Sequence, residues 1–336
     1  MSFWEGKRAL VTGGCGFIGA FLVRSLLESG AKVRIADNLE RASVESLGAA
    51  TDKVELQQVD LREPDAARRA CDGMDVVFHL ASKVGGIGYY LKYPWDVLHS
   101  NLTMDGNVLA SLIESRVPYY FYASSAHIYP IELQLEIEAP LIREDQAYPA
   151  NPSLSYGWAK LIGEQGITAA LAERHQFRAA IARIVGAYGP GQDYQLDTGS
   201  VIPVFCHRAV RYPELMPFRV LGTGKETRTY CYVDDVVRAI LVSVEKLADS
   251  PLVGPFNLGT CELVSIAEIA ETIIGISGKD IKIDYDTSHP TKIWGQAPDI
   301  ALAAKLLDGW KPSVSLRDGL KICYQDVKSR LERTAT

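Results

Sequence analysis

The chain predicts an α/β fold, a doubly wound parallel sheet with a smaller C-terminal lobe. Three features of the sequence point there. Short apolar runs recur through the first half, helix-period apolar residues fill the segments between several of them, and the punctuation changes after Gly186. Alternation of this kind sets parallel strands side by side with helices on both faces, because right-handed crossovers must cover the sheet.

The runs, in order, are Arg8 to Thr12, Lys32 to Ala36, Val54 to Val59, Val76 to Leu80 and Tyr119 to Ser124. Most are largely apolar, as a strand buried on both faces must be, with Val54 to Val59 the most polar of them. AFLVRSLLESG after the first run carries apolar residues at helical spacing, and further helices are expected over Asp96 to Ser115 and Ser153 to His175. A buried strand over Arg178 to Val185 extends the same sheet. Beyond Gly186, Gly, Pro and Asp break up Ala187 to Thr227, and Val264 to Ile274 reads as a helix of the second lobe. Residues 1–185 therefore form mainly the first domain and 186–336 mainly the second, with a strand of the second able to cross back.

The net charge of −6 leaves no basic excess for a nucleic-acid partner. The six cysteines, at 15, 71, 206, 231, 261 and 323, form no C-x-x-C pair and no metal-like spacing with His, so reduced thiols, no metal site and a cytoplasmic location are expected. No apolar leader precedes the first run and no apolar stretch of about 18 residues follows, so no membrane span is expected.

The first strand runs into Gly13-Gly14-Cys15-Gly16-Phe17-Ile18-Gly19 and then a helix. In that context Gly13 permits the tight turn, Gly16 lets backbone approach a pyrophosphate, Gly19 lets the helix pack on the strand, and the helix N-terminus favours the anion. Asp37, at the end of the second strand, can accept hydrogen bonds from both adenosine-ribose hydroxyls, which favours NAD over a 2′-phosphorylated cofactor. The first domain thus reads as a Rossmann-type NAD-binding unit, with substrate held between the lobes.

Tyr156-Gly157-Trp158-Ala159-Lys160 puts a phenol and an ammonium on one helical face. Lys160 beside the nicotinamide ribose would lower the Tyr156 pKa, and the phenolate would take a proton from a sugar hydroxyl. Ser125 ends an apolar strand, where ligands bind in doubly wound sheets, and would hydrogen-bond the reacting hydroxyl.

Through TGGCGFIG, DN, VDLR, HLAS, YASSAHIYP, YGWAK, AYGPG and TRTYCYVDD, nearly the whole chain resembles the extended short-chain dehydrogenase/reductase superfamily of nucleotide-sugar epimerases, dehydratases and reductases. VGGIG, SSAHIYP and SVIPVF look most like the GDP-mannose 3,5-epimerases and GDP-fucose synthases. The resemblance implies a catalytic set of Ser125, His127, Tyr156 and Lys160. For the cofactor it implies contacts from the glycines with Phe17, Ile18, Asp37 and Asn38, from Asp60 and Leu61 at the adenine, and from Ala81 near the pyrophosphate. Asn101 would support the catalytic network, while Gly86, Ser125, Arg228 and Gln296 would hold substrate.

Departures from the pattern shape the expected chemistry. His127 stands where those epimerases carry cysteine and 4,6-dehydratases carry glutamate; an imidazole titrating near pH 7 could take or return a proton alpha to a transient 4-ketone. Ser200 replaces the second acid/base, which favours inversion at one carbon. Gly186 replaces an asparagine and would make room for a larger sugar; Gln296 replaces an arginine, leaving Arg228 as the pyrophosphate clamp. The expected activity is an NAD-dependent epimerase of a nucleotide sugar, a GDP-sugar foremost. The alternatives are a 4,6-dehydratase, a C4 epimerase and a non-catalytic NAD sensor. Trp158, Trp294 and Trp310 read as packing residues and His79 as a satisfied core histidine, and the resemblance implies a homodimer formed by the helices carrying Asp96 and Tyr156.

Overall fold

A computed structural model describes residues 2–288 and 293–334. Its first half alternates strands β1 (Arg8–Thr12), β2 (Lys32–Asp37), β3 (Val54–Gln58), β4 (Val76–His79), β5 (Tyr119–Ser125) and β6 (Arg178–Ile184) with helices α1 (Phe17–Glu28), α2 (Pro64–Cys71), α3 (Ile87–Lys92), α4 (Pro94–Glu114) and α5 (Ser155–Ala172). The expected doubly wound α/β fold is present. Every residue of β4 is buried, and so are five of the seven in β6, which is why these strands lack polar alternation.

The second half holds β7 (Ala187–Tyr188), α6 (Val201–Val210), β8 (Phe218–Leu221), β9 (Thr227–Arg228), β10 (Cys231–Tyr232), α7 (Val233–Glu245), β11 (Leu252–Leu258), β12 (Val264–Ser265), α8 (Ile266–Ser277), β13 (Ile283–Asp286), α9 (Ala301–Leu306) and α10 (Leu316–Thr334). The main sheet runs β11-β6-β5-β4-β1-β2-β3, parallel throughout. Strand order reverses between β1 and β4, the place where such sheets open a ligand crevice at their carboxyl ends.

β11 joins the sheet from beyond Gly186, against β6. Its register shifts between Val253 and Phe256, where Gly254 and Pro255 interrupt the ladder, and an edge is where a sheet tolerates this. The helix expected from Val264 begins instead at Ile266. Ser265 caps it by accepting from the Glu268 amide while the Glu268 carboxylate accepts from the Ser265 amide, so the two preceding residues are left to pair as β12 with β9. All six cysteines are unpaired thiols. Among the described residues no helix is long and apolar enough to cross a membrane.

Candidate active site

The glycine turn joins β1 to α1 as a close-packed unit. Gly13 has φ +67°, and a Cβ there would lie 2.9 Å from the Ala81 backbone beyond β4, so only glycine lets the two strand ends approach. A Cβ on Gly19 would strike the Gly13 carbonyl oxygen, and Gly16 sits at the N-cap of α1. That helix starts at Phe17 and Ile18 with no side-chain cap and no acidic residue in its first turn, which leaves backbone N–H groups available to an anion. Asp37 ends β2 and accepts from the amides of Cys15 at 3.1 Å and Leu39 at 2.9 Å, one bond per carboxylate oxygen, leaving lone pairs for ribose hydroxyls. Asn38 is exposed beside it, accepting from the Glu40 amide.

Asp60 and Leu61 follow β3. The Asp60 carboxylate is gripped by Arg62, which holds it below the usual carboxylate range, while Leu61 is buried and its carbonyl accepts from Asn107. Ala81 is tied to β1 by its amide donating to the Thr12 hydroxyl. Fully buried Asn101 on α4 accepts from the Ser82 hydroxyl at 2.7 Å and the Lys83 amide at 2.9 Å, so it fixes the loop leaving β4.

Tyr156 and Lys160 lie one turn apart near the start of α5, with Ser125 at the end of β5 across from them. Ser82 and Ser125 both act on the Tyr156 phenol, so the structure brings the predicted serine and tyrosine together. The phenol is pushed up to about 12 by burial, against which Ser82 and Ser125 work in the lowering direction. The expected lowering by Lys160 gives way here first to burial and then to Asp105, whose carboxylate stands 3.6 Å from the Lys160 ammonium and acts on Tyr156 in the opposite sense. Lys160 is 1% exposed, and its Nζ is buried without a hydrogen-bond partner. A buried ammonium at the crevice, ion-paired with Asp105 but with its hydrogens unspent, fits the sugar and phosphates of NAD together with the uncapped helix and the bare glycine turn.

His127 follows Ser125 in a short 3₁₀ turn, its amide donating to the Ser125 hydroxyl. Its ring packs edge-on against Tyr156, centroids 5.8 Å apart, and Nδ1 is buried without a partner. Burial, then the charge of Arg228, lower its pKa to about 4, so the expected titration near pH 7 is corrected to a ring that stays neutral well below it. Tyr90 of α3, which the sequence reading missed, stacks on Tyr156 at 5.2 Å and closes on His127 at 5.9 Å.

Of the residues expected to hold substrate, Arg228 and Gln296 lie in the second half of the chain. Arg228 donates to the carbonyls of Thr227 and Ile293, and Gln296 spends an amide hydrogen on Gln134 at 2.8 Å. Gly86 caps α3 and faces the carbonyl oxygens of Thr198 and Gly199, so the VGGIG loop meets the segment before α6. Gly186 opens no space: its φ is +59° and a Cβ would run into the Thr229 carbonyl oxygen, a backbone requirement instead of a pocket. Ser200 caps α6 and lies 3.4 Å from the Gln192 amide nitrogen. His79 is satisfied as expected, by Thr12 at 2.8 Å and Asp105 at 3.0 Å; Trp310 is buried, but Trp158 is 40% exposed and is no core residue.

Residues 9–259 match the NAD dependent epimerase/dehydratase family. The chain is 30% identical to GDP-mannose 3,5-epimerase 1 of Oryza sativa subsp. japonica, over 99% of this chain and 85% of that protein. It is 29% identical to UDP-glucuronic acid decarboxylase 6 of Arabidopsis thaliana, over 98% and 91% of the respective chains. Among solved structures, UDP-glucose 4-epimerase of Thermotoga maritima with UDP-glucose superposes with a TM-score of 0.84 at 26% identity, covering 96% of this chain and 99% of that one. The extent of these matches, over a fold whose glycine turn and Ser125–Tyr156–Lys160 cluster fit the cofactor, makes this chain a member of the NAD-dependent epimerase/dehydratase family, enzymes that act with NAD.

Proposed function

We propose that the protein epimerises the hexose of a GDP-sugar through a transient 4-ketone, with Ser125, Tyr156 and Lys160 serving the oxidation and His127 the inversion. NAD bound along the glycine turn supplies reversible oxidation at a sugar carbinol. Tyr156 takes the hydroxyl proton, held in place by Ser125 and Ser82. The observation that carries the reading is His127: a neutral imidazole nitrogen, buried and unpartnered, packed against the catalytic phenol. A 4-ketone acidifies its neighbouring C–H bonds, and a neutral imidazole is the base that such a carbon requires. Direct inversion at C4 would need no such group. Ser200 gives little acid/base power for a second carbon, so one centre is inverted.

The GDP preference is supported by likeness to the rice GDP-mannose 3,5-epimerase, and we assign Arg228, whose charge reaches His127, to the diphosphate. In this reading the chain divides its labour at about residue 185, with cofactor on the first part and sugar on the second. A homodimer, through exposed apolar residues of α4 and α5, completes the proposal.

The test is proton NMR in deuterated water with NAD and GDP-mannose, then UDP-, CDP- and dTDP-sugars. An isomer labelled with deuterium at C3 or C5, without net NADH, is the expected result. An unlabelled isomer would make the enzyme a C4 epimerase, a 4-keto-6-deoxy product would make it a dehydratase, and silence across the panel would overturn the reading.

A further inference from the structure

Four buried polar side chains, Asp105, His79, Tyr122 and Thr12, form a chain beneath the crevice, and Asp105 lies outside the quoted motifs. Asp105 lies on α4, one turn after Asn101, and is 6% exposed. One of its carboxylate oxygens stands 3.0 Å from His79 Nε2 and 3.6 Å from Lys160 Nζ; the other accepts from the Tyr122 hydroxyl at 2.5 Å. His79 Nδ1 continues the chain to the Thr12 hydroxyl, which also accepts from the Ala81 amide beside the glycine turn. Lys160 Nζ also lies 4.7 Å from the centre of the Tyr122 ring.

Local sequence is shaped around this cluster. Gly163 sits in the interior of α5, where glycine weakens a helix. A Cβ there would collide with the Tyr122 hydroxyl and lie 3.0 Å from the Asp105 carboxylate, so the glycine is what lets those two groups meet against the helix. A carboxylate excluded from water persists only where cations and donors compensate it. Here three groups on three elements do so: His79 on β4, Tyr122 on β5 and Lys160 on α5.

We propose that Asp105 is the positioning residue of Lys160, a buried counter-ion that keeps the ammonium charged and aims it at the crevice. The inference rests on Lys160 being a working residue of the family reaction, whatever the sugar. The other titratable groups facing Lys160 are Glu164 and Tyr156 on its own helix, Tyr122 on β5, and His79 through the shared carboxylate. Burial lowers the Lys160 pKa, and Asp105 opposes that, followed by the more remote Glu164. Loss of the Asp105 charge therefore leaves burial weakly opposed, and Lys160 releases its proton at lower pH.

The test needs no sugar. In NAD-loaded protein labelled with ¹³C at lysine Cε, the Lys160 resonance is assigned by its loss in Lys160→Met and titrated in wild type and in Asp105→Asn. The expected result is a midpoint lower by about one pH unit or more in Asp105→Asn, a tenfold shift in protonation. An unmoved midpoint in the folded variant would overturn the proposal, since a merely structural aspartate would change melting temperature and leave the lysine's titration alone. Should Asp105→Asn fail to fold, Lys160→Met gives the reciprocal reading: the Asp105 carboxyl carbon must titrate at higher pH without its cation, and an unchanged carboxyl titration would refute the pairing. Because neither measurement uses substrate, a silent sugar panel leaves this inference standing and a failed titration leaves the proposed reaction standing.

Discussion

Packing of Tyr156 and His127 against each other, with Tyr90 closing on both, decides which proton each can move. A phenol pushed up to about 12 holds its proton until substrate and cofactor change its surroundings. Tyr156→Phe is therefore expected to cost about 10²- to 10⁴-fold in turnover, with NAD still bound as judged by the absorbance of released dinucleotide. For His127→Gln, deuterium uptake at the sugar ring falls by about 10²-fold or more while transient NADH absorbance persists, because oxidation does not use the imidazole. His127 also carries a pH signature. Its folded pKa of about 4 lies below the ordinary 6.5, so between those values the unfolded chain binds the extra proton. Stability then rises with pH across that window and is lost on acidification, by at most about 1.4 kcal/mol per pH unit for this group. Denaturant midpoints from pH 4 to 7 should show a shallower slope in His127→Gln, and parallel slopes would refute the depressed value.

At the level of elements, the turn between β1 and α1 is set by absent side chains. Gly19→Ala gains helix propensity of about 1 kcal/mol, yet its Cβ meets the Gly13 carbonyl oxygen, and overpacking of this kind costs about 1–3 kcal/mol. The variant should lose NAD affinity at least tenfold in calorimetric titration, with a lower melting temperature; wild-type affinity would show that the turn can give. The same physics explains what sequence could and could not tell. β1, β4, β5 and β6 were legible because strands buried on both faces are apolar runs, edge strand β3 has no buried residue and showed more weakly, and the glycine turn was legible because its spacing is backbone geometry. A strand crossing back from the second part was expected, but its position as β11 was hidden, since Gly254 and Pro255 break the run that would announce it. Asp105 was hidden for a different reason: a lone acid on a helix reads as solvent-facing, and only its placement among Val97, Asn101, Met104 and Val108 on the buried face of α4 betrays it. Gly186 misled because open space and a positive φ look identical in a sequence.

At the scale of the whole molecule, α4 and α5, which pack side by side, both leave large apolar side chains uncovered. Trp158 and Ile162 are 40% and 49% exposed on successive turns of α5, and Trp95 at the start of α4 is 72% exposed, stacked on His99. Between the helices a cavity of about 130 Å³ is lined by Leu102, Gly106, Leu109, Ile162 and Gly166, with Asp105, Tyr120 and Tyr122 also on its wall. Large aromatic and aliphatic side chains in a contiguous patch mark an interface more often than a free surface. Two copies joined through these helices make an isologous contact, closing on itself without leaving a sticky edge. Light scattering should therefore give twice the 36.9 kDa chain mass, and the double variant Trp158→Glu, Ile162→Glu should run at the single-chain mass. The consequence reaches the site, because α5 carries Tyr156 and Lys160 on one side and this patch on the other. Monomerisation should then lower turnover together with mass; a monomeric variant with full activity would separate assembly from catalysis, and a wild type that is already monomeric would remove the interface from the proposal.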